Sequence, residues 1–456
     1  MSLDLIRCFT NAAQIDTGHT MNMASYDQNS GKEMRTPNDM MCEYIGRLAD
    51  FFGRPRYKNF HRAVAAGRLS HKLFYSVAHI LVRSRVGSFA GALFAYFFLG
   101  SLRRIPNAEV VLFGETKNNQ KANAEVADII RDQFCFRILV ADRSATLFDR
   151  LCRLKSISYI WRAKDQISNI KGLGPFAAAQ LLVGAAAYAF YAAKSLPSAC
   201  RVVVFSNDHS PVPTALMYAV LCSGRKSVYR QHAPVTSEFP PLRYDLAILH
   251  DQVSRDAYRV ASRRLVDAHN CFVTILSPFR ERGRPMRISD RIVKIGICLS
   301  LVWNVRAVEL LIDELQKIPS LSQILIRPHP GNRQNLAPLL ERAGVDRDEP
   351  SASVEVFANL NDIVIVPNSG ICLELLHYGV PVSYQAGLDA LGHDLYGFVK
   401  SRIVIERAEK VLPTPEDLKA FYDYNWRHRF KNYDATQFTS PEEMLSDVSS
   451  ALKIVI

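Results

Sequence analysis

Short apolar runs rich in β-branched residues recur along the chain. Each is followed by a turn holding Pro, Gly, Ser or Asn, and then by a helical period. The clearest are Ala108-Glu109-Val110-Val111-Leu112-Phe113, Arg201-Val202-Val203-Val204-Phe205, Gln323-Ile324-Leu325-Ile326-Arg327 and Asp362-Ile363-Val364-Ile365-Val366. Runs this short and this uniformly apolar predict strands covered on both faces, as in a parallel sheet. Similar runs predict strands at 136–142, 227–230, 246–249, 271–276, 291–299, 380–384 and 403–405. Between them the spacing predicts helices at 121–133, 213–221, 252–265 and 305–317, the last with Val308, Leu311, Ile312 and Leu315 on one face. Such β–α alternation marks doubly wound α/β domains.

A chain of 456 residues exceeds one ordinary core, and two domains are the natural division. The stretch 280–287 breaks every period and reads as the linker between them. The expected organisation is a flexible polar leader over 1–45 and a first Rossmann-like domain with helical insertions over 46–285. A second Rossmann-like domain over 286–415 and C-terminal helices over 416–456 complete it. Residues 58–97 and 145–195 are mostly helical in pattern.

Two stretches bear on membrane contact. Residues 172–193 carry no charge and are long enough to span a bilayer, for which about 20 residues suffice. They are mostly Ala and Gly, however, and include Pro175 and Gln180. Residues 86–102 are apolar and flanked by Arg83, Arg85, Arg103 and Arg104. Both read as buried core helices; for the first of them in the chain, the alternative is a helix lying on the inner leaflet.

Charge narrows the partners. The net charge of +12 asks for something anionic. With no paired-Cys zinc spacing and no aromatic RNA-binding signature, a nucleotide substrate or an acidic membrane surface is expected rather than nucleic acid. Nine cysteines, without a CxxC, suit a reducing cytoplasmic compartment, and the N-terminus lacks a basic-then-apolar signal pattern.

Candidate chemistry gathers at predicted strand ends, where open parallel sheets bind ligands. Arg327 and His329, stiffened by Pro328 and Pro330, could hold phosphate oxygens, or His329 could cap a helix. Asn368-Ser369-Gly370 opens a helix and suits a phosphate. Glu374, the lone acid in Ile371-Cys372-Leu373-Glu374-Leu375-Leu376, could bind ribose hydroxyls or lie exposed on the helix face. In the first domain His232 is a candidate general base, or a buried hydrogen-bonded residue. Asp208 and His209 form a second acid–base pair, unless Asp208 caps the helix begun at Pro213. No His/Cys cluster has metal-ligand spacing, and Asp346-Arg347-Asp348 reads as a solvated loop.

In their order along the chain, His232-Ala233, Arg327-Pro328-His329-Pro330 and Asn368-Ser369-Gly370 resemble motifs of the GT-B bacterial surface-polysaccharide transferases. These include sialyl-, Kdo- and polysialyltransferases and the related CDP-glycerol glycerophosphotransferases. The resemblance covers residues 202–385. His329-Pro330 and Ser369 match the motifs that hold the donor's CMP, His232-Ala233 stands where His-Gly is usual, and Glu374 is similar to the ribose-binding Glu. The paired-acid-then-glycine motif of the sialyltransferases is absent; Ser206-Asn207-Asp208 stands in its place. The resemblance implies a GT-B fold and a metal-independent transferase with a nucleotide-sugar as co-substrate. Arg327, His329, Pro330, Asn368, Ser369, Gly370 and Glu374 would bind the donor, and His232 or Asp208 would deprotonate a glycan or glycolipid acceptor. A cytoplasmic enzyme, peripheral on the inner membrane face, is the implied setting. Alternatives are a CDP-polyol phosphotransferase, a non-hydrolysing UDP-sugar 2-epimerase, and a non-catalytic scaffold for envelope assembly.

Overall fold

The computed structural model describes residues 36–54, 69–192, 196–262, 271–278, 283–332, 334–349, 352–407, 412–434 and 440–456. Within them the apolar runs become twelve strands in two six-stranded sheets. The first holds β1 (Val110–Phe113), β2 (Ile138–Val140), β3 (Val202–Phe205), β4 (Lys226–Arg230), β5 (Leu246–Leu249) and β6 (Phe272–Ile275). The second holds β7 (Lys294–Cys298), β8 (Gln323–Arg327), β9 (Val345–Arg347), β10 (Ile363–Val366), β11 (Val382–Tyr384) and β12 (Ile405–Glu406). Every pairing within both sheets is parallel. All four residues of β1, β3, β5 and β10 are buried, so helices cover both faces. Each fully buried Val, Leu or Ile contributes about 1.5–3 kcal/mol relative to exposure.

Strand order fixes where ligands can sit. The first sheet runs β2-β1-β3-β4-β5-β6 and the second β12-β11-β10-β7-β8-β9. Each has one point where successive crossovers depart in opposite directions, between β1 and β3 and between β7 and β10. A crevice opens there at the carboxyl ends of the strands. The chain therefore has two Rossmann-like doubly wound domains, the GT-B architecture, with extra N-terminal helices.

The uncharged stretch becomes the helix Pro175–Ala192, buried along most of its length. A helix apolar all round belongs in a core, and its small residues let neighbours approach closely. A Cβ on Gly184 would lie 2.5 Å from Leu48 and 2.9 Å from the Tyr44 hydroxyl. Leu48 and Tyr44 belong to the helix Pro37–Gly53, started by a capping box between Thr36 and Asp39. That helix lies partly inside the expected leader. Residues 1–35 are outside the described residues, but the leader's boundary at 45 is corrected to no later than Thr36. The polar positions facing outward hid the apolar stripe of Met41, Tyr44, Ile45, Leu48, Phe51 and Phe52, all buried. Residues 86–102 are only half core. The helix Arg85–Phe98 buries Ser88, Gly91, Ala92, Ala95 and Tyr96 and leaves its other side in solvent.

Two connections differ from expectation. Part of the linker, 280–282, lies outside the described residues; beyond it the Arg284 and Arg287 amides donate to the His377 and Gly379 carbonyls (2.9 and 2.7 Å), strapping this stretch to the second domain. The C-terminal helices divide between the domains. Leu418, Tyr422, Trp426 and Phe430 join the second core. In the last helix, Pro441–Val455, Met444, Val448, Ala451 and Leu452 pack with β1, β3 and β5 of the first. If that helix completes the first core, Leu452→Ala should cost about 2–5 kcal/mol, the usual range for emptying a buried leucine site. Urea unfolding should report the loss.

Candidate active site

The first-domain crevice is shaped by the turn after β3. The Asn207 side-chain carbonyl accepts from the His209 and Ser210 amides (3.1 and 2.8 Å), fixing the backbone as an Asx turn does. Asp208 is 1% exposed, and both its oxygens are used. Tyr258 donates its hydroxyl to Oδ2 at 2.7 Å, and His209 Nδ1 lies 2.9 Å from Oδ1. The Arg47 guanidinium donates to the Asp208 carbonyl at 3.0 Å. The hydrogen bonds and the charges of His209 and Arg47 outweigh the effect of burial, and hold the Asp208 carboxyl below its usual range. An ionised carboxylate with both oxygens engaged is a poor base. Expected as the base itself, Asp208 instead orients His209.

His209 is the group the dyad presents. Its ring packs against both Phe51 and Phe239, with centroids 5.2 Å from each, and these two rings also touch each other. An unprotonated Asp208 can only accept, so neutral His209 carries its proton on Nδ1 and its free lone pair on Nε2, the arrangement of an oriented general base. Glu115, at the end of β1 across the switch point, joins it. Burial pushes its carboxyl up to about 7, against the opposing charges of His209 and Arg103. Glu115 belongs to none of the motifs singled out in the sequence. Its signal was positional: it directly follows the strand-end glycine of the first strand of the sheet.

His232 follows β4. Its neighbour Gln231 is fully buried and donates to the Ala233 carbonyl and the Ser254 hydroxyl (both 2.8 Å), while accepting from the His250 amide at 2.9 Å. These bonds fix the loop. Burial, with the charge of His209, lowers the His232 imidazole to about 4, and its Nδ1 is buried without a hydrogen-bond partner among the described residues. His232 is thus neutral and weakly basic, better suited to a hydrogen bond than to proton abstraction.

In the second domain, His329 and Ser369 leave the ends of β8 and β10, on either side of β7. Two strand spacings of about 4.8 Å put these backbone ends roughly 10 Å apart. His329 and Pro330 are exposed. Nδ1 of His329 accepts from the Gly331 amide at 3.0 Å, which leaves Nε2–H as the outward donor of the neutral ring. Though the residue is exposed, the protein packed around its ring displaces part of the water and moves this imidazole below its ordinary value. Ser369 is half-buried and its hydroxyl makes no hydrogen bond among the described residues. Glu374 is exposed on the helix Ile371–His377. The protein around it nonetheless raises its carboxyl, opposed first by the charge of Lys121 from the first domain.

Two expected donor ligands have other work. Arg327 forms an ion pair with Asp348, donates to the Ala352 carbonyl at 3.0 Å, and lies 5.5 Å from the Phe357 ring centre. Asp348, expected in a solvated loop, is 4% exposed and directly follows β9. The strand was missed because Val345-Asp346-Arg347 is an edge with only one apolar residue. Asn368 is buried and tied to Asp389. Its amide and side chain donate to that carboxylate (3.0 and 3.2 Å), and its side chain donates to the Gly392 carbonyl at 2.7 Å. Both residues shape the walls rather than face a ligand. Among the described residues no group of three or more His, Cys, Asp or Glu is placed to hold a metal ion.

The domains meet at these turns. A Cβ on Gly370 would fall 2.9 Å from Pro234 Cδ, so Ser369-Gly370 abuts the His232-Ala233-Pro234 loop. The helix Gln252–Ser262 also packs against Tyr424–Asp434, with Val253 on the second core.

No family model matches the chain, and no curated protein does. Solved structures of similar chain path exist at low identity. The glycosyltransferase SnogD from Streptomyces nogalater is 12% identical over 75% of this chain and 98% of its own, with a TM-score of 0.38. The UDP-GlcNAc 2-epimerase from Neisseria meningitidis, solved with UDP-GlcNAc, is 12% identical over 75% and 99%, at 0.41. Acinetobacter baumannii MurG is 14% identical over 76% and 99%, at 0.36. At these scores the fold rests on the strand order given above.

Glu115 makes a testable pH signature. Its folded value near 7 exceeds the ordinary 4.5, so the folded state holds the proton more tightly, and stability falls as pH rises between those values and then levels. Glu115→Gln should remove that decline. Urea midpoints of variant and wild type should therefore diverge between about pH 5 and about pH 8 in favour of the variant.

Proposed function

We propose that the protein is a nucleotide-sugar-dependent glycosyltransferase acting on a hydroxyl of a cell-surface glycan or glycolipid. The observation that carries the reading is the abutment of Pro234 on Gly370. It brings the strand-end turns of two doubly wound sheets to one cleft, with an imidazole-bearing turn on each side. The donor would lie along the second domain. His329 Nε2–H and the Ser369 hydroxyl would meet its phosphate oxygens, and Glu374 its ribose hydroxyls. Arg327, its charge balanced by Asp348, would brace the turn that carries His329 without touching the donor.

The acceptor would lie over the first domain. As its oxygen attacks the anomeric carbon and the bond to the phosphate oxygen breaks, its proton passes to His209 Nε2, and Asp208 stabilises the resulting imidazolium. Protonated Glu115 can donate a hydrogen bond to a sugar oxygen near neutral pH, and His232 can accept or donate one. Holding both substrates in one cleft supplies the entropic part of the rate enhancement.

Calorimetry with CMP-, CDP- and UDP-linked sugars tests the donor site. His329→Ala and Ser369→Ala should each weaken binding by about tenfold, the loss of one charge-assisted or well-placed hydrogen bond of about 1.4 kcal/mol. Binding of none of these donors would remove the reading, and turnover of UDP-GlcNAc without an acceptor would replace transfer by epimerisation. With a binding donor in hand, His209→Ala should lower kcat by about 100-fold or more while leaving donor affinity within about twofold. Asp208→Asn should act in the same direction through the His209 tautomer.

A further inference from the structure

The strongest feature outside the cleft is a helical layer that turns apolar side chains to solvent. The helices Leu69–Leu81, Arg85–Phe98 and Ile157–Asn169 lie side by side, and each packs inward on Pro175–Ala192. Their outer sides therefore share one surface. On Arg85–Phe98 the outward line is Val86, Ala90, Phe94 and Phe98, with Val86 80%, Phe94 58% and Phe98 72% exposed. Spacing of four residues makes this a continuous stripe. The first helix adds Leu73, Val77 and Ile80, all exposed, and the third adds Trp161, which meets Phe89 of the middle helix edge to face at 5.2 Å. Phe148, 74% exposed, lies on the helix Leu147–Leu151, which also touches the middle one. A surface helix of a soluble domain normally puts polar residues on this side, and a contiguous apolar patch marks an interaction surface.

Charge selects the occupant. Residues 69–104 contain five basic residues and no acidic one, and residues 143–171 contain seven basic against two acidic. These two segments thus hold nearly all of the chain's surplus of +12. Arg83, Arg104, Lys155 and Arg162 are exposed among the apolar side chains. A second copy would set this basic surface against another. Residues 1–35 carry four acidic and three basic residues, too even a balance to neutralise it. Nucleic acid would satisfy the charges but leave the phenylalanines wet. An anionic bilayer satisfies both at once, because apolar side chains enter the acyl boundary while arginines and lysines stay among the headgroups.

We infer that this three-helix face docks the protein on an anionic lipid surface, with Phe94, Phe98 and Phe148 entering the interface. The uncharged helix Pro175–Ala192 supports the layer from beneath and does not itself enter lipid. Docking is independent of the chemistry in the cleft, which lies on other loops of the molecule.

Flotation of the full chain with vesicles of phosphatidylcholine alone, or with about one third phosphatidylglycerol, tests this. Binding to the anionic vesicles, weakened by salt, is expected, with little binding to the neutral ones. The exposed-site double variant Phe94→Ser/Phe98→Ser should lose about tenfold or more of the vesicle binding at an unchanged thermal midpoint. Arg83→Glu/Arg162→Glu should lose a similar amount. Absence of binding to anionic vesicles, or binding unaffected by both double variants, would overturn the inference. So would a dimer in solution that the phenylalanine variant dissociates while wild type ignores vesicles. The phenylalanine variant should keep whatever nucleotide-sugar affinity the wild type has, so failure here and failure at the cleft read separately.

Discussion

Pro234 presses its ring against the backbone at Gly370, where a methyl group would have no room without movement. That contact brings the two strand-end crevices together, beside the packing of Gln252–Ser262 on Tyr424–Asp434. It depends in turn on the buried Gln231 amide, which bonds Ala233, Ser254 and His250 and so gives the 231–234 loop one shape. A buried amide with every bond made is rigid, whereas a half-satisfied one is costly. The residues that decide the cleft's geometry are therefore not those that would perform its chemistry.

Burial sorts the charged groups in the same way. Asp208 and Arg327 are both closely partnered, and each positions something else: Asp208 holds an imidazole, and Arg327 ties β8 to the chain after β9. The groups left with unspent hydrogen-bonding capacity lie at the exits of strands at the switch points or one strand from them: His329 and Ser369 in one domain, His209, Glu115 and His232 in the other. Shifts of Glu115 and His232 in opposite senses have one cause. Burial disfavours the charged form of either, raising an acid and lowering a base.

Much of the architecture was legible because parallel strands covered on both faces read as plain apolar runs: β5 and β8 coincide with such runs, and β3 and β10 each begin one residue later than theirs. What escaped was amphipathic or polar. Pro37–Gly53 carries its apolar stripe among Asn, Asp, Glu and Arg, and only the tertiary structure shows that Tyr44 reaches the Pro211 carbonyl at 2.6 Å and that Arg47 braces Asp208. β9 is an edge strand with a single apolar position. At the site, sequence placed His329, Ser369 and His232 at strand ends, but it could not tell a partnered Asp208 or Asn368 from a free one, because partners such as Arg47, Tyr258 and Asp389 lie 161, 50 and 21 positions away. Glu115 became visible only when strand order placed β1 beside the switch point.

The central claim is that the loop after β4 and the turn after β10 meet across one cleft. Paired cysteines at the contact, Pro234→Cys with Gly370→Cys, test it most directly, read by mass spectrometry of the digested, unreduced protein. The account predicts a peptide containing position 234 joined to one containing position 370 under mild oxidation, since a Cβ at 370 would lie 2.9 and 3.3 Å from the Pro234 Cδ and Cγ. Both thiols remaining free, or pairing instead with native cysteines, would show that the two turns do not face each other and would contradict it.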